Sequence, residues 1–155
     1  MAGHPTSLGH VHLKVRDVDR AVAFYTDVLG LAVRERTGRF AFLTYGDVHH
    51  DVALQAVSGG SDAPDEARSP APSVGLYHAA VECPDAAALA ATFERLRERD
   101  VSVSPVDHGI SKALYFDDPA GNGLEAYLDT RDEAAAAWDG RNEPFDPLAL
   151  DEEQD

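Results

Sequence analysis

Hydrophobic and polar residues alternate in two segments of the chain that resemble each other. HVHLKVRD at residues 10–17 and HAAVECPD at residues 78–85 both begin with histidine and alternate as a half-buried strand does. Each segment ends on an aspartate, Asp17 or Asp85, that can cap a helix. Apolar residues then recur at helical spacing, and Gly30 ends the first helix. The chain therefore contains an internal repeat that begins with a strand and a helix.

Further strand-like segments follow each predicted helix. They lie at residues 31–36, 40–45 and 49–57 in the first half, and at residues 101–106, 112–117 and 123–128 in the second. Helical spacing in the second half predicts a buried face made of Leu89, Phe93 and Leu96. Both halves thus have the order strand–helix–strand–strand–strand.

This order predicts an α+β fold in which two βαβββ modules pair their sheets into a half-open curved barrel. We expect one domain over residues 7–129, with modules at about 7–57 and 75–129. The linker at 58–74 is rich in Gly, Ser, Pro and Asp. Residues 130–155 form an acidic C-terminal extension, predicted as a short Ala-rich helix and a loosely ordered tail.

The charge of the chain is strongly negative. Asp and Glu number 28 against 13 Lys and Arg, which gives a formal net charge of −15. Such a surface repels phosphate backbones and anionic lipid, so neither a nucleic acid nor a membrane is expected as a partner. A single cysteine, Cys83, and the lack of a signal-like N-terminus favour the cytoplasm. Adaptation to high salt and a GC-rich genome would both explain the composition.

Histidines and a carboxylate on the predicted strands are candidate metal ligands. His10 and His78 occupy equivalent positions of the repeat. His12 shares a strand face with His10, but its counterpart in the second copy is Ala80, so the repeat favours His10. Glu125 is a carboxylate inside an apolar strand, where an isolated charge is costly. Two histidines and one carboxylate are the ligand set of non-heme Fe(II) sites, although Zn, Mn, Ni or Co would also fit, and ordinary structural roles stay open.

Several motifs together identify a family that this chain resembles. They are LGHVHLKV at 8–15, AFYTDVLG at 23–30, HHDVAL at 49–54, VDH at 106–108, LY at 114–115, DPAG at 118–121 and Glu125. The chain resembles the vicinal oxygen chelate superfamily of glyoxalases, bleomycin-resistance proteins and extradiol ring-cleaving dioxygenases. The motifs from residue 106 onward, with HHDVAL, are similar to the signature of single-domain extradiol catechol dioxygenases.

The resemblance implies a metal site and a reaction. It implies Fe(II), with Mn(II) as an alternative, bound by His10, His78 and Glu125. It also implies a small aromatic diol of the catechol type and O2 as reactants. Homodimers are common in this superfamily, and the sequence identifies no interface.

The same resemblance implies roles for residues beside the metal. His50 matches an acid–base histidine, Tyr115 matches a tyrosine that hydrogen-bonds the substrate, and His108 matches a histidine near the substrate oxygens. From the residues alone, the alternatives are a core histidine, a packing tyrosine and a loop histidine, respectively. His49 is expected to point to the opposite strand face and to be structural.

The sequence therefore predicts an Fe(II)-dependent extradiol dioxygenase. The alternative enzymes are a glyoxalase, an epimerase or a thiol transferase of the same superfamily. Glyoxalase I usually takes a glutamate ligand from the strand predicted at 49–57, which contains none. A ligand-binding protein of the resistance type usually lacks the metal ligands, whereas all three positions are filled here.

Overall fold

The protein is described by a computed structural model that covers residues 5, 7–57, 75–131 and 137–150. The chain divides into two compact units, Met1–Pro64 and Asp65–Asp155. In the described residues, each unit contains one mixed β-sheet and one α-helix. Within these ranges, no helix is long and apolar enough to cross a bilayer. The predicted linker at 58–74 lies outside the described residues.

The first unit has the predicted strand–helix–strand–strand–strand order. Its elements are β1 (Val11–Val15), α1 (Val18–Asp27), β2 (Ala32–Thr37), β3 (Phe40–Thr44) and β4 (Val52–Ala56). The strands lie in the order β1-β4-β3-β2, in which β1 is parallel to β4 and the other neighbours are antiparallel. The predicted order of elements in this half is confirmed.

The core of the first unit follows from local patterns. Alternation along β1 buries Leu13 and Val15, and α1 contacts the sheet. The buried face of α1 consists of Val18, Ala21, Phe24 and Tyr25. The carboxylate of Asp17 accepts a hydrogen bond from the N–H of Arg20 at 3.0 Å, which confirms the predicted cap. Gly30 has a φ of +75°, a conformation that glycine adopts without strain as the chain leaves the helix.

The second unit repeats this order and adds two short elements. It contains β5 (Ala79–Glu82), α2 (Ala86–Glu98), β6 (Ser104–Asp107), β7 (Ser111–Asp117), β8 (Gly123–Asp129), β9 (Glu143–Pro144) and a 3-10 helix (Pro147–Leu150). The strand order is β5-β8-β7-β6-β9, in which β5 is parallel to β8 and the other pairs are antiparallel. The repeat of strand–helix–strand–strand–strand is therefore confirmed in both halves.

Helix α2 differs from its prediction at one position. Asp85 caps it, accepting a hydrogen bond from the N–H of Ala88 at 2.8 Å. Leu89 and Leu96 are fully buried as predicted, but Phe93 is only half-buried. The neighbouring Thr92 is buried instead, where its hydroxyl donates to the Ala88 carbonyl at 2.8 Å.

Strand β6 begins three residues later than the sequence predicted. Asp100 adopts a φ of +55°, and the N–H of Val101 donates to the carbonyl of Leu96 at 3.0 Å. These backbone bonds belong to the end of α2 and hold the chain near the helix, so residues 101–103 do not pair with a strand.

The predicted loosely ordered tail is wrong for residues 143–150. Strand β9 pairs with β6, an edge strand whose backbone groups would otherwise lack a strand partner on that side. The 3-10 helix packs on α2 and buries Pro147. The predicted Ala-rich helix falls mainly outside the described residues, as do residues 151–155.

Candidate active site

The second unit brings together four of the six predicted site residues, and three of them share one face of its sheet. In the register of the sheet, Glu125 on β8 lies opposite Ala80 on one side and Tyr115 on the other. His78 precedes Ala80 by two residues, and successive residues of an extended chain alternate between faces. His78, Glu125 and Tyr115 therefore point to the same side of the sheet, and the contacts of His78 with Glu125 and Tyr115 agree with this.

His78 and Glu125 form a close pair. The Nε2 atom of His78 lies 2.9 Å from the Oε2 atom of Glu125, and only 12% of the Glu125 side chain is exposed. The Nδ1 atom of His78 is buried and has no hydrogen-bond partner. A buried polar atom without a partner costs about 1–3 kcal/mol, so this imidazole has unused bonding capacity.

Tyr115 connects this pair to His108. The Tyr115 hydroxyl lies 2.9 Å from Nε2 of His108, and the rings of Tyr115 and His78 are 5.6 Å apart. Burial, followed by the charge of Glu125 and a hydrogen bond to it, raises the pKa of Tyr115 to about 12. The phenol therefore keeps its proton at neutral pH and serves as a hydrogen-bond donor.

His108 lies in the turn between β6 and β7. The backbone N–H of His108 donates to the Ser111 carbonyl at 2.9 Å, and the following residue, Gly109, has a φ of +80°. The turn aims the imidazole at the end of β7, where the Tyr115 hydroxyl meets it. His108 therefore lies in a loop, as one alternative predicted, and its ring also contacts the hydroxyl of Tyr115.

A cavity of about 520 Å³ opens within the second unit beside these residues. It is lined by Tyr77, His78, Val101, Ser102, Ser104, Tyr115, Phe116, Asp117, Gly123 and Leu124. The polar residues Ser104 and Asp117 were not predicted. Ser104 lies opposite Tyr115 in the sheet, and Asp117 follows Tyr115 by two residues, so strand alternation and register are the signals that identify them.

His10 and His50 contact each other in the first unit. Their ring centroids are 4.4 Å apart, and the ring of Phe42 lies 5.1 Å from that of His50. His10 immediately precedes β1 as His78 immediately precedes β5, so the equivalence seen in the repeat holds in the structure. Burial, then the neighbouring His10, His49 and His12, lower the pKa of His50, which favours its neutral form.

The prediction that His49 and His50 lie on a strand is wrong. Both precede β4, in a bend held by Asp51, whose carboxylate accepts hydrogen bonds from the N–H of Tyr45 at 2.7 Å and the hydroxyl of Thr44 at 3.2 Å. Strand alternation therefore does not apply, and the two histidines are not on opposite faces. Their Nδ1 atoms lie 2.9 Å apart.

His49 also makes a contact that its predicted structural role did not include. Its Nε2 atom lies 3.3 Å from the Oε2 atom of Glu35 on β2. With Nδ1 beside His50 and Nε2 beside a carboxylate, both nitrogens of His49 have polar neighbours. His49 is thus a direct neighbour of His50 rather than a residue of the opposite face.

The donor atoms in the second unit suit a divalent metal ion. Imidazole and carboxylate are common ligands of Fe(II), Mn(II) and Zn(II), and here they lie side by side with one imidazole nitrogen unpartnered. Within the described ranges, no group of three or more His, Cys, Asp or Glu side chains is close enough to hold a metal. The set of His10, His78 and Glu125 stays a prediction.

Comparison with known families identifies the chain's relatives. Residues 7–126 match the model of the glyoxalase/bleomycin resistance protein/dioxygenase superfamily. The chain belongs to this superfamily. The vicinal oxygen chelate resemblance drawn from its motifs is thereby confirmed, and the two mixed sheets match the fold of the family's solved structures.

Two curated relatives in the superfamily are named as ring-diol dioxygenases. Catechol-2,3-dioxygenase of Bacillus subtilis (strain 168) is 36% identical over 124 residues, which is 80% of this chain but 42% of that protein. Biphenyl-2,3-diol 1,2-dioxygenase 3 of Rhodococcus globerulus is 34% identical, over 94% of this chain and 80% of that protein. The chain thus spans less than half the length of the Bacillus relative.

A solved superfamily structure agrees with the fold. The glyoxylase/bleomycin resistance protein/dioxygenase domain from Frankia sp. EAN1pec superimposes with a TM-score of 0.62 at 27% identity. The match covers 81% of this chain and 99% of that one. The part of this chain that matches is therefore about as long as that one domain.

Proposed function

We propose that this protein is an Fe(II)-dependent extradiol dioxygenase that cleaves the ring of a catechol-type aromatic with O2. One observation carries the proposal: His78 and the buried carboxylate of Glu125 form a close pair, and this pair adjoins Tyr115, which is hydrogen-bonded to His108. A pair of candidate metal ligands beside a hydrogen-bonded phenol and imidazole suits a reaction in which substrate oxygens must be oriented. The two curated relatives, which are named as dioxygenases of ring diols, support the same chemistry.

The proposed metal ligands are His10, His78 and Glu125, with Mn(II) as the alternative to Fe(II). When bound, the metal would supply a centre that orients the two substrate hydroxyls and O2 toward each other. The unpartnered Nδ1 of His78 and the closeness of Glu125 support the presence of a cation in the second unit.

The proton chemistry belongs to residues beside the ligands. His50 is favoured in its neutral form and can accept the proton of a substrate hydroxyl. Tyr115 keeps its proton and can donate a hydrogen bond to a developing oxyanion. His108 holds the phenol through Nε2.

The proposed reaction balances without an external reductant. O2 provides both oxygen atoms of the product, the substrate provides the electrons, and the carbon–carbon bond next to the diol breaks. The product is of the hydroxymuconic semialdehyde type. We place this reaction in the cytoplasm, because the chain's single cysteine, Cys83, is a free thiol, as is usual in a reducing compartment.

Metal analysis and oxygen uptake test the proposal. The anaerobically purified protein should hold about one Fe(II) or Mn(II) per chain, since the ligand set binds one ion. With catechols, the iron-loaded protein should consume O2 and form a yellow ring-fission product. Efficient isomerisation of a hemithioacetal without O2 uptake would overturn the proposal in favour of a glyoxalase.

A matched pair of substitutions tests the ligand assignment. Glu125→Gln keeps the volume of the side chain but removes a charged donor beside His78, so most of the metal should be lost. Glu82→Gln is the control, because Glu82 lies on β5 and contacts the hydroxyl of Tyr127 at 3.2 Å. Equal metal content in the two variants would show that Glu125 is not a ligand.

A further inference from the structure

Two rows of residues cross one face of the second sheet beside the cavity. In the first row, Glu125 lies opposite Tyr115, and Tyr115 lies opposite Ser104 on the next strand. Residues two apart on a strand share a face, so Gly123 and Asp117 belong to the same face, one step along their strands. These two residues are opposite each other in the register and form the second row.

The second row places Asp117 across the sheet from His78. Ala79 pairs with Leu124, so the preceding residue, His78, lies beside Gly123 at the start of β5. Gly123 has no side chain, so its strand leaves the row open between His78 and Asp117. Neighbouring strands are about 4.8 Å apart, which puts the backbones of these two residues roughly 10 Å apart. All three residues of the row line the cavity.

The ionic groups in the cavity lining are of one sign. Among the described residues that line the cavity, the half-buried Asp117 is the carboxylate, and none is a lysine or an arginine. The two oxygens of a carboxylate offer about four lone-pair sites, so a ligand N–H can bind there beside contacts within the protein. Ser102 and Ser104 add hydroxyls, which both donate and accept hydrogen bonds. The lining thus offers an ionic partner to a cationic ligand and no lysine or arginine to an anionic one.

Asp117 lies away from the residues proposed to act on the substrate hydroxyls. His78 is a proposed metal ligand and Tyr115 is the phenol beside it, so the hydroxyls of a catechol would lie near these two residues. Asp117 follows Tyr115 by two residues on β7, roughly 7 Å along the strand. A ring held by its hydroxyls spans such a distance through a substituent. Asp117 is therefore placed to contact the part of the molecule in which catechols differ.

We propose that Asp117 is a specificity-determining residue: the cavity favours a catechol that carries a protonated amine and disfavours one that carries a carboxylate. This inference rests on the proposed function, because it takes the catechol hydroxyls to lie near His78. An ammonium group beside Asp117 is attracted to it, whereas a second carboxylate there is repelled. The formal net charge of −15 acts in the same direction over the whole surface, so the test must separate the local charge from the total.

Three probes of similar shape and different charge test the inference. Dopamine is cationic, dihydroxyphenylacetate is anionic and ethylcatechol is neutral, and each carries its substituent para to one hydroxyl. The Kd of each probe is measured by calorimetry under argon, with the metal-free and the Fe(II)-loaded full-length protein, so that binding is followed without turnover. The wild type should bind dopamine roughly 10-fold more tightly than dihydroxyphenylacetate, since attraction and repulsion at a partly exposed charge each contribute about 3-fold.

Matched variants separate the charge of Asp117 from the total charge. Asp117→Asn keeps the size of the side chain but removes the carboxylate, so the ratio of the two Kd values should fall below about 3-fold. Asp117→Lys should reverse the preference. Glu94→Gln is the control, because it removes one negative charge from an exposed position on α2, and it should keep the wild-type ratio. The neutral probe shows whether a variant alters binding of the ring itself.

The second readout is O2 uptake by the iron-loaded protein with the same probes in air. Discrimination between substrates is expressed in kcat/KM, and the ratio of dopamine to dihydroxyphenylacetate should follow the ratio of their Kd values. A contact with the substituent is made before and during the reaction alike, so Asp117→Asn should change KM for the charged probes more than kcat. If the lysine variant does not fold, the wild type and Asp117→Asn decide the outcome.

The inference is overturned if the wild type binds dihydroxyphenylacetate as tightly as dopamine, or binds neither. It is also overturned if Asp117→Asn and Glu94→Gln change the ratio of the Kd values equally, because the total charge would then be the cause. A wild type that prefers dopamine but consumes no O2 with any probe would refute the proposed function and leave the specificity of the cavity standing. Equal O2 uptake with all three probes would do the reverse.

Discussion

Glu125 and Asp118 are both buried carboxylates of the second unit, but their surroundings differ. Asp118 accepts hydrogen bonds from the N–H groups of Ala120 and Asn122 and from the Asn122 side chain, each at 2.9 Å. These bonds close the turn before β8, so the Asp118 carboxylate stabilises that turn. Glu125 instead adjoins an imidazole with an unused nitrogen. Of these two carboxylates, Glu125 is therefore the one with capacity to bind a ligand.

The role of His50 can be separated from that of the ligands by substitution. His50→Phe should keep the metal and bind catechol, but turnover should fall by roughly 10²–10⁴-fold, the usual contribution of a general base. His10→Ala should lose metal and activity together, because His10 is a proposed ligand. Metal content and O2 uptake are measured side by side. Loss of metal in His50→Phe would make His50 a ligand, and full activity would assign proton transfer to another group.

At the scale of elements, the β6–β7 turn depends on one buried charge. Burial raises the pKa of Asp107, but the hydrogen bond from Lys112, the N–H of Gly109 and the charges of Lys112 and Arg141 outweigh it, so the pKa is lowered overall. An acid with a lowered pKa stabilises the folded state at a pH above its unfolded value of about 3.9. That contribution is lost as the pH falls through the folded value.

Asp107→Asn should therefore have a pH-dependent effect on stability. At pH 7 it should lower the free energy of unfolding by roughly 1–2 kcal/mol, because hydrogen bonds to a charged group are replaced by weaker ones. The difference from the wild type should stay constant down to about pH 4.5 and shrink at lower pH, as the wild-type carboxylate becomes protonated. Urea unfolding at stepped pH measures it. A difference that grows at low pH would contradict the charge argument.

At the scale of the whole molecule, the excess of negative charge is the dominant electrostatic feature. A formal charge of −15 on 155 residues produces repulsion between like charges in the folded state. Dissolved salt shortens the range of this repulsion, to about 8 Å at 0.15 M and about 3 Å at 1 M. Stability should therefore respond to ionic strength.

The melting temperature is expected to rise as KCl increases from low to molar concentration. If charge screening is the cause, NaCl at equal ionic strength should have a similar effect, and most of the rise should occur where the screening length changes most. Scanning calorimetry across a salt series measures it. A melting temperature that stays constant or falls would leave GC-biased composition as the explanation of the acidic sequence.

The features that the sequence predicted correctly depend on residues close together in the chain. Asp17 and Asp85 bond to N–H groups three residues ahead, so a local pattern is enough to identify both caps. Alternation along residues 10–17 predicted a half-buried strand, and Leu13 and Val15 of that strand are buried; the repeat likewise predicted equivalent positions for His10 and His78. The motifs that marked the family are likewise short segments whose spacing the chain itself sets.

The features that only the tertiary structure decided depend on partners distant in the chain. His49 and His50 leave the strand because Asp51 bonds back to Thr44 and Tyr45, a closure that alternation does not encode. Residues 143 and 144 pair with β6 because the edge of that strand offers unpaired backbone groups, and the Arg141 carbonyl thereby lies beside the ring of His108, 33 residues away in the chain. These strand partners follow from which backbone groups are left to pair once the sheet has formed.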